Sequence, residues 1–226
     1  MSADLTQTDS EVRAEVLRAA KALHAAGLVV GTAGNVSGRL ADRHTACMTP
    51  SSLGYEGMTE DDLVVVDLDG TVVAGSGSPT SEKALHLECY KRYPEVGGVI
   101  HSHAPYASMF AVAGKPVPAA VEEAITYLGG DIPLCSYEPS GSDALGREAA
   151  SQLADRSAAL LANHGLVCVG KSPDDALHAS LVAEHTARII WGASALGEPV
   201  PVPQESIANL GSVYSFVRNQ MWPQPG

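Results

Sequence analysis

Apolar positions along this chain switch between two periods, and the switches mark out the elements. From about Ser10 to Ala26, Val12, Val16, Leu17, Ala20 and Leu23 recur at three and four, which predicts a helix with one buried face. Ser10 followed by Glu11 offers a start and Gly27 a stop. Gly31 to Ser37 reads as a loop turning into a strand, and Ala46 to Pro50 as a second strand. Leu63 to Asp67 is an unbroken β-branched run, Asp69-Gly70 a hairpin turn, and Thr71 to Ala74 the returning strand. Pro79-Thr80-Ser81-Glu82 opens a helix from about Ser81 to Tyr93, and Val96 to His103 predicts a further strand. Ala104 to Ala113 reads as helix, Pro118 to Glu122 and Ile132 to Cys135 as short strands, and Ser142 to Asp155 as helix. Two strands, Ala158 to Ala162 and Leu166 to Val169, flank Asn163-His164-Gly165. Ser172-Pro173-Asp174-Asp175 is a strong helix start, with serine as cap, proline at the first position and acids in the first turn. That helix runs to about Leu196; Pro199 to Pro203 breaks the chain, and Glu205 to Gln220 predicts a last helix.

Strands that interleave with helices, with a hairpin among them, predict an α/β sandwich around a mixed, largely antiparallel sheet. At 226 residues one domain spanning the chain is expected, with residues 1–8 and 221–226 as flexible ends. A net charge of −12 argues against nucleic acid and anionic membranes as partners. It leaves room for a small phosphorylated ligand, because local donors outweigh a distant field. Cys47, Cys89, Cys135 and Cys168 form no CxxC pair, and the first 30 residues do not read as a signal peptide. Reduced thiols in a cytoplasmic protein are the expectation. No apolar run is long enough for a membrane helix.

The candidate chemistry begins at His101-Ser102-His103. Residues i and i+2 of a strand share a face, so two imidazoles there can grip one metal ion. His164 stands 61 residues further on, between two apolar runs. Three histidines leave one position of a tetrahedral zinc open, the pattern of a catalytic site. His24, His44, His178 and His185 read as ordinary histidines, and His86, four residues after Glu82 on the same helix face, as a support to the site at most. Glu82 is either a carboxylate favoured by a helix start or a general base near the metal, and spacing does not separate the two. Gly34-Asn35, Ser51-Ser52 and Thr80-Ser81 each offer N–H groups with a hydroxyl or amide; together they could cradle a phosphate without lysine or arginine.

Five stretches then stand in one order: Gly31-Thr32-Ala33-Gly34-Asn35-Val36-Ser37, Met48-Thr49-Pro50-Ser51, Ser81-Glu82, His101-Ser102-His103-Ala104 and Asn163-His164-Gly165-Leu166. As a set, across about residues 10–203, they resemble the class II sugar-phosphate aldolase and adducin-head family. The resemblance implies a three-layer α/β/α domain and a homotetramer with active sites between subunits. It implies Zn2+ on His101, His103 and His164, with Glu82 on the resting metal or swung off as base. It also implies a phosphorylated small-molecule substrate held by Gly34, Asn35, Ser51, Ser52, Thr80 and Ser81. The activity implied is that of a zinc-dependent lyase, splitting a keto-sugar phosphate into dihydroxyacetone phosphate and an aldehyde.

The chain departs from that pattern in three places. Glu123 stands where the fuculose-phosphate aldolases carry a tyrosine from the neighbouring subunit, so it is a candidate acid/base or else a surface acid. Ser52 replaces a usual glycine. The family's second tyrosine, near the C-terminus, has no clear match, Tyr214 being nearby. Dehydration, decarboxylation and epimerisation by the same metal chemistry remain as alternatives, as does a non-catalytic adducin-head-like module. A closed structural zinc site fits less well, because such sites carry four ligands rich in cysteine.

Overall fold

The computed structural model describes residues 8–222. In chain order these form α1 (Asp9–Ala25), β1 (Asn35–Arg39), β2 (Thr45–Met48), β3 (Val64–Asp67), β4 (Val72–Ala74), α2 (Lys83–Arg92), β5 (Gly98–Ser102), α3 (Pro105–Ala113), α4 (Glu122–Leu128), β6 (Leu134–Cys135), α5 (Asp143–Ser151), β7 (Ala158–Leu161), β8 (Gly165–Gly170), α6 (Pro173–Leu196) and α7 (Gln204–Met221). The strands make one sheet in the order β4-β3-β2-β1-β5-β8-β7-β6. Each pairing is antiparallel except β6 with β7, so the sheet is mixed and largely antiparallel, as expected.

Alternate strand residues feed two separate cores. Val36, Cys47, Val65, Ile100, Leu160 and Cys168 pack with α1, α3, α4 and α6 on one face. Met48, Val64, Val66, Val99, Leu161 and Val169 pack with α2 and α5 on the other. The result is a three-layer α/β/α sandwich. Because helices cover both faces, the strands read as continuous apolar runs rather than as alternating ones. The last helix, α7, lies on α4.

Several boundaries differ from the sequence reading. The first helix is capped by Thr8, whose hydroxyl accepts from Glu11 N while the Glu11 carboxylate accepts from Thr8 N. This reciprocal capping box outcompetes Ser10 as a start. Thr8, Met221 at the end of α7, and Trp222, which lies buried beside the Arg218 guanidinium, are thus part of the fold; residues 1–7 and 223–226 of the two expected flexible ends lie outside the described residues. The expected strand Pro118–Glu122 is absent: Val117 makes an isolated bridge to Ile132, and α4 follows. Ala124, Ile125 and Leu128 form the buried face of α4, but seven residues are too few to display a helical period. The helix expected to reach Asp155 stops at Ser151. Ser172 caps α6 with Pro173 in its first turn, as the sequence predicts.

Candidate active site

The candidate site lies where β1, β5 and β8 meet the start of α2. Strand β5 ends at Ser102, so His101 is its last residue but one and His103 lies one residue beyond it. His164 sits in the β7–β8 turn, where Asn163 adopts the left-handed conformation (φ 56°) that asparagine tolerates. The His164 N–H bonds Leu161 O across that turn, which throws the imidazole back towards β5. Gly165 opens β8 in an ordinary extended conformation. Its role is spatial: a Cβ there would stand 2.4 Å from Ser102 O, 3.1 Å from the His103 ring and 3.4 Å from the His101 ring.

His101 is fully buried, and its Nδ1–H donates to Leu166 O over 2.9 Å. That bond leaves the Nε2 lone pair pointing into the cluster. His103 Nε2 lies 3.1 Å from His101 Nε2. The Glu82 carboxylate stands opposite, with Oε2 3.2 Å from His101 Nε2 and Oε1 3.3 Å from His164 Nε2. The His101 lone pair and a carboxylate oxygen repel at this distance unless a cation or proton lies between them. The donor set of His101, His103 and His164, all within 4.8 Å of one another, therefore fits a metal ion. Nitrogen donors with a carboxylate suit a borderline transition metal rather than calcium or magnesium.

Glu82 precedes the first turn of α2 and makes no capping bond with its side chain. Its oxygens are used elsewhere: Oε2 accepts from Asn35 Nδ2 (3.0 Å) and Oε1 from Ser140 Oγ (2.8 Å). Burial by itself would raise its pKa, but His101 and these two hydrogen bonds prevail and hold it at about 2. Burial keeps His101 neutral, down to about 4, against the pull of Glu82. His103 is lowered as well, by burial and then by His164. The resting cluster thus sets an ionised Glu82 carboxylate against the neutral imidazoles of His101 and His103. The alternative reading of Glu82, a carboxylate serving the helix start, does not describe its contacts.

A cavity of about 210 Å³ opens beside this cluster. Gly34, Asn35, Ser51, Ser52, Thr80 and Ser81 all line it, with Glu82, His103 and His164; His101 lies beneath. No lysine or arginine is among the lining residues. Gly34, at φ +76° and with a virtual Cβ 2.9 Å from His101 O, needs to be glycine on both counts. Ser52, at the position of the usual glycine, is held at φ 63°. Ser140 was not visible in the sequence, being one serine in a loop before α5 whose value comes entirely from its bond to Glu82.

Glu123 is not brought to this cavity. It is exposed on the first turn of α4 and does not line its own chain's cavity. Tyr214 is buried on α7, with its hydroxyl 2.8 Å from Ser157 Oγ, and its ring packs against Gly129. It does not line the cavity either. His24 stacks on Tyr55, His178 meets the Tyr127 ring edge-on, and His44 and His185 are exposed. No helix among the described residues is long and apolar enough to cross a membrane.

Residues 14–191 match the model of the Class II Aldolase and Adducin N-terminal domain family, and the chain belongs to that family. It is 32% identical over 202 residues to 5-deoxy-D-ribulose 1-phosphate aldolase of Bacillus thuringiensis serovar kurstaki, covering 89% of this chain and 94% of that one. Among solved structures, an L-fuculose 1-phosphate aldolase superposes with a TM-score of 0.87 at 31% identity, over 94% of this chain and all of that one. L-fuculose-1-phosphate aldolase from Thermus thermophilus shares the fold, with a TM-score of 0.73 at 24% identity, over 86% of this chain and 100% of that one.

Proposed function

We propose that the protein is a zinc-dependent aldolase that cleaves or forms a carbon–carbon bond in a small keto-sugar phosphate. Dihydroxyacetone phosphate and an aldehyde are the products of cleavage. The observation that carries this reading is the convergence of three imidazoles and the Glu82 carboxylate at one end of a cavity walled by uncharged donors. His101, His103 and His164 would hold the ion, with Glu82 beside it. Zinc, when bound, supplies a Lewis acid that stabilises negative charge developing on a substrate carbonyl oxygen.

The chain's own residues do the rest. Glu82, ionised and tethered by Asn35 and Ser140, takes the proton from the carbon next to the carbonyl in the condensation direction and returns it in cleavage. Gly34, Asn35, Ser51, Ser52, Thr80 and Ser81 orient the phosphate through N–H and O–H donors. The named activities of the relatives, both aldolases of sugar 1-phosphates, support this substrate class. In a homotetramer with sites between subunits, Glu123 of one subunit, exposed on α4, serves the cavity of the next as acid/base. Four free cysteines suit the reducing cytoplasm.

The test is turnover by the zinc-loaded protein with dihydroxyacetone phosphate and a panel of small aldehydes, new sugar phosphates being read by mass spectrometry. Condensation that disappears in Glu82→Gln and on chelation supports the assignment. A protein that holds zinc but makes no condensation product turns the reading to dehydration, decarboxylation or epimerisation. One that purifies without metal and binds none turns it to a non-catalytic interaction module.

A further inference from the structure

Behind Glu82 and Asn35 the structure holds a buried polar file, His86, Ser37 and Tyr90, that the aldolase reading does not use. Glu82, His86 and Tyr90 recur at intervals of four at the start and along one face of α2. Asn35 and Ser37 recur at an interval of two on β1. Four residues of helix rise about 6.0 Å and two residues of strand about 6.6 Å. The two repeats therefore keep step, and side chains from helix and strand interleave. Asn35 Nδ2 meets Glu82 Oε2 at 3.0 Å, Asn35 Oδ1 meets His86 Nε2 at 2.5 Å, Ser37 Oγ meets His86 Nδ1 at 2.7 Å, and Ser37 Oγ meets Tyr90 Oη at 2.7 Å. His86 and Ser37 are fully buried, and Tyr90 nearly so.

The direction of every bond in this file follows from one end. A carboxylate only accepts, so the Asn35 group facing Glu82 is the NH2 and the group facing His86 is the carbonyl oxygen. That oxygen only accepts, so His86 carries its proton on Nε2. Nδ1 is then a lone pair and Ser37 donates to it, and the Ser37 oxygen in turn accepts from the Tyr90 hydroxyl. We propose that His86 is a positioning residue of this site: anchored by Ser37 and Tyr90, it fixes the rotation of the Asn35 amide so that an N–H is always presented to Glu82. The Glu82 carboxylate is thereby held with one oxygen committed and its plane set, ready to move a proton without first reorganising. The proposal rests on the reading of Glu82 as the proton-moving group.

The alternative for a buried histidine between a helix and a strand is that it fills space and satisfies its own nitrogens. The two roles separate by experiment. In the zinc-loaded protein labelled with 15N-histidine, long-range 1H–15N correlation reads the tautomer of His86. Nε2–H is expected; Nδ1–H means the Asn35 amide is turned the other way and overturns the proposal. In the condensation assay, His86→Leu is expected to lower kcat roughly ten- to hundred-fold, with KM little changed and zinc content intact. His86→Gln, which keeps a donor towards Asn35, is expected to recover most of that loss. Equal loss in both variants, in step with a lower melting temperature, assigns His86 a packing role and overturns the proposal, as does an unimpaired His86→Leu. Should His86→Leu fail to fold, Ser37→Ala keeps the ring and frees Nδ1. It is expected to give a mixed tautomer and a smaller loss of kcat, and an unchanged single tautomer with unchanged kcat counts against the proposal. If the parent protein condenses nothing, the aldolase reading fails, while the tautomer still decides whether the file runs as described.

Discussion

Gly165→Ala tests how tightly the proposed metal grip is built. The backbone of Gly165 is one that alanine adopts without strain, so the whole effect is crowding. The new Cβ would meet Ser102 O at 2.4 Å, with the rings of His103 and His101 at 3.1 and 3.4 Å. A carbon and a carbonyl oxygen settle at about 3.3 Å or more, so the two chains must part by roughly 1 Å. The atom displaced is backbone at the end of β5, between the two histidines it carries, and the strand that must yield is the one that follows His164. Overpacking of this kind costs about 1–3 kcal/mol of stability. A displacement of that size among ligands is expected to weaken zinc binding by roughly ten- to hundred-fold. Zinc affinity is read by competition with a chromophoric chelator and stability by urea denaturation. Gly192→Ala, at a position with nothing within 4 Å of the new carbon, is the control and should leave zinc binding alone. Wild-type zinc affinity in Gly165→Ala would refute the reasoning, because it would mean that β5 and β8 can separate without disturbing the imidazoles.

Three further outcomes are expected. Ser52→Gly should raise stability by about 0.5–1 kcal/mol, since an L-residue at φ 63° is strained by more than glycine costs in chain entropy; an unchanged urea midpoint would count against it. Burial holds His86 at about 3 against its ordinary 6.5, so below pH 6.5 the unfolded chain takes up a proton that the folded chain refuses. Stability from this group should therefore fall as pH drops from 6.5 towards 3, by about 2 kcal/mol at about pH 5; urea midpoints equal at pH 7 and pH 5 would contradict it. Burial raises Cys47, Cys89, Cys135 and Cys168 to about 12 each, so none should react with a thiol reagent in the native protein and all four should on unfolding.

The three histidines were legible in the sequence because strand periodicity and the flanking apolar runs report on backbone position. His103 still lies past the end of its strand, where its N–H donates to Leu28 O before α3 begins. Glu82 was legible as a residue but not as a role, since a carboxylate at a helix start has an ordinary explanation that only its contacts with Asn35, Ser140 and the imidazoles remove. The sequence offers His86 as a support at most; its burial between Asn35 and Ser37 depends on the packing of α2 on β1, which no local window contains. Helix α4 was missed because Pro118 and Val121 pull a short window towards strand, while its helical face needs tertiary burial of Ala124, Ile125 and Leu128 to declare itself. Ser140 left no trace, since one hydroxyl in a loop has no period.

The register of the sheet divides this molecule's inheritance in two. Asn35 lies directly opposite His101 across β1 and β5, and Ser102 opposite Leu166 across β5 and β8. A slip of one residue in either ladder would turn these partners to the wrong face, so the chemistry is locked into the hydrogen-bonded frame and changes only as a whole. Ser51, Ser52 and Ser140 hang outside that frame on connecting segments. Ser140, though on a loop, is tied to the frame by its bond to Glu82, so diversification can run in the loop around Ser51–Gly57, swapping what is admitted while the other groups stay put. Directed evolution towards a different phosphorylated end of the substrate has a natural address there, and little to gain in the strands.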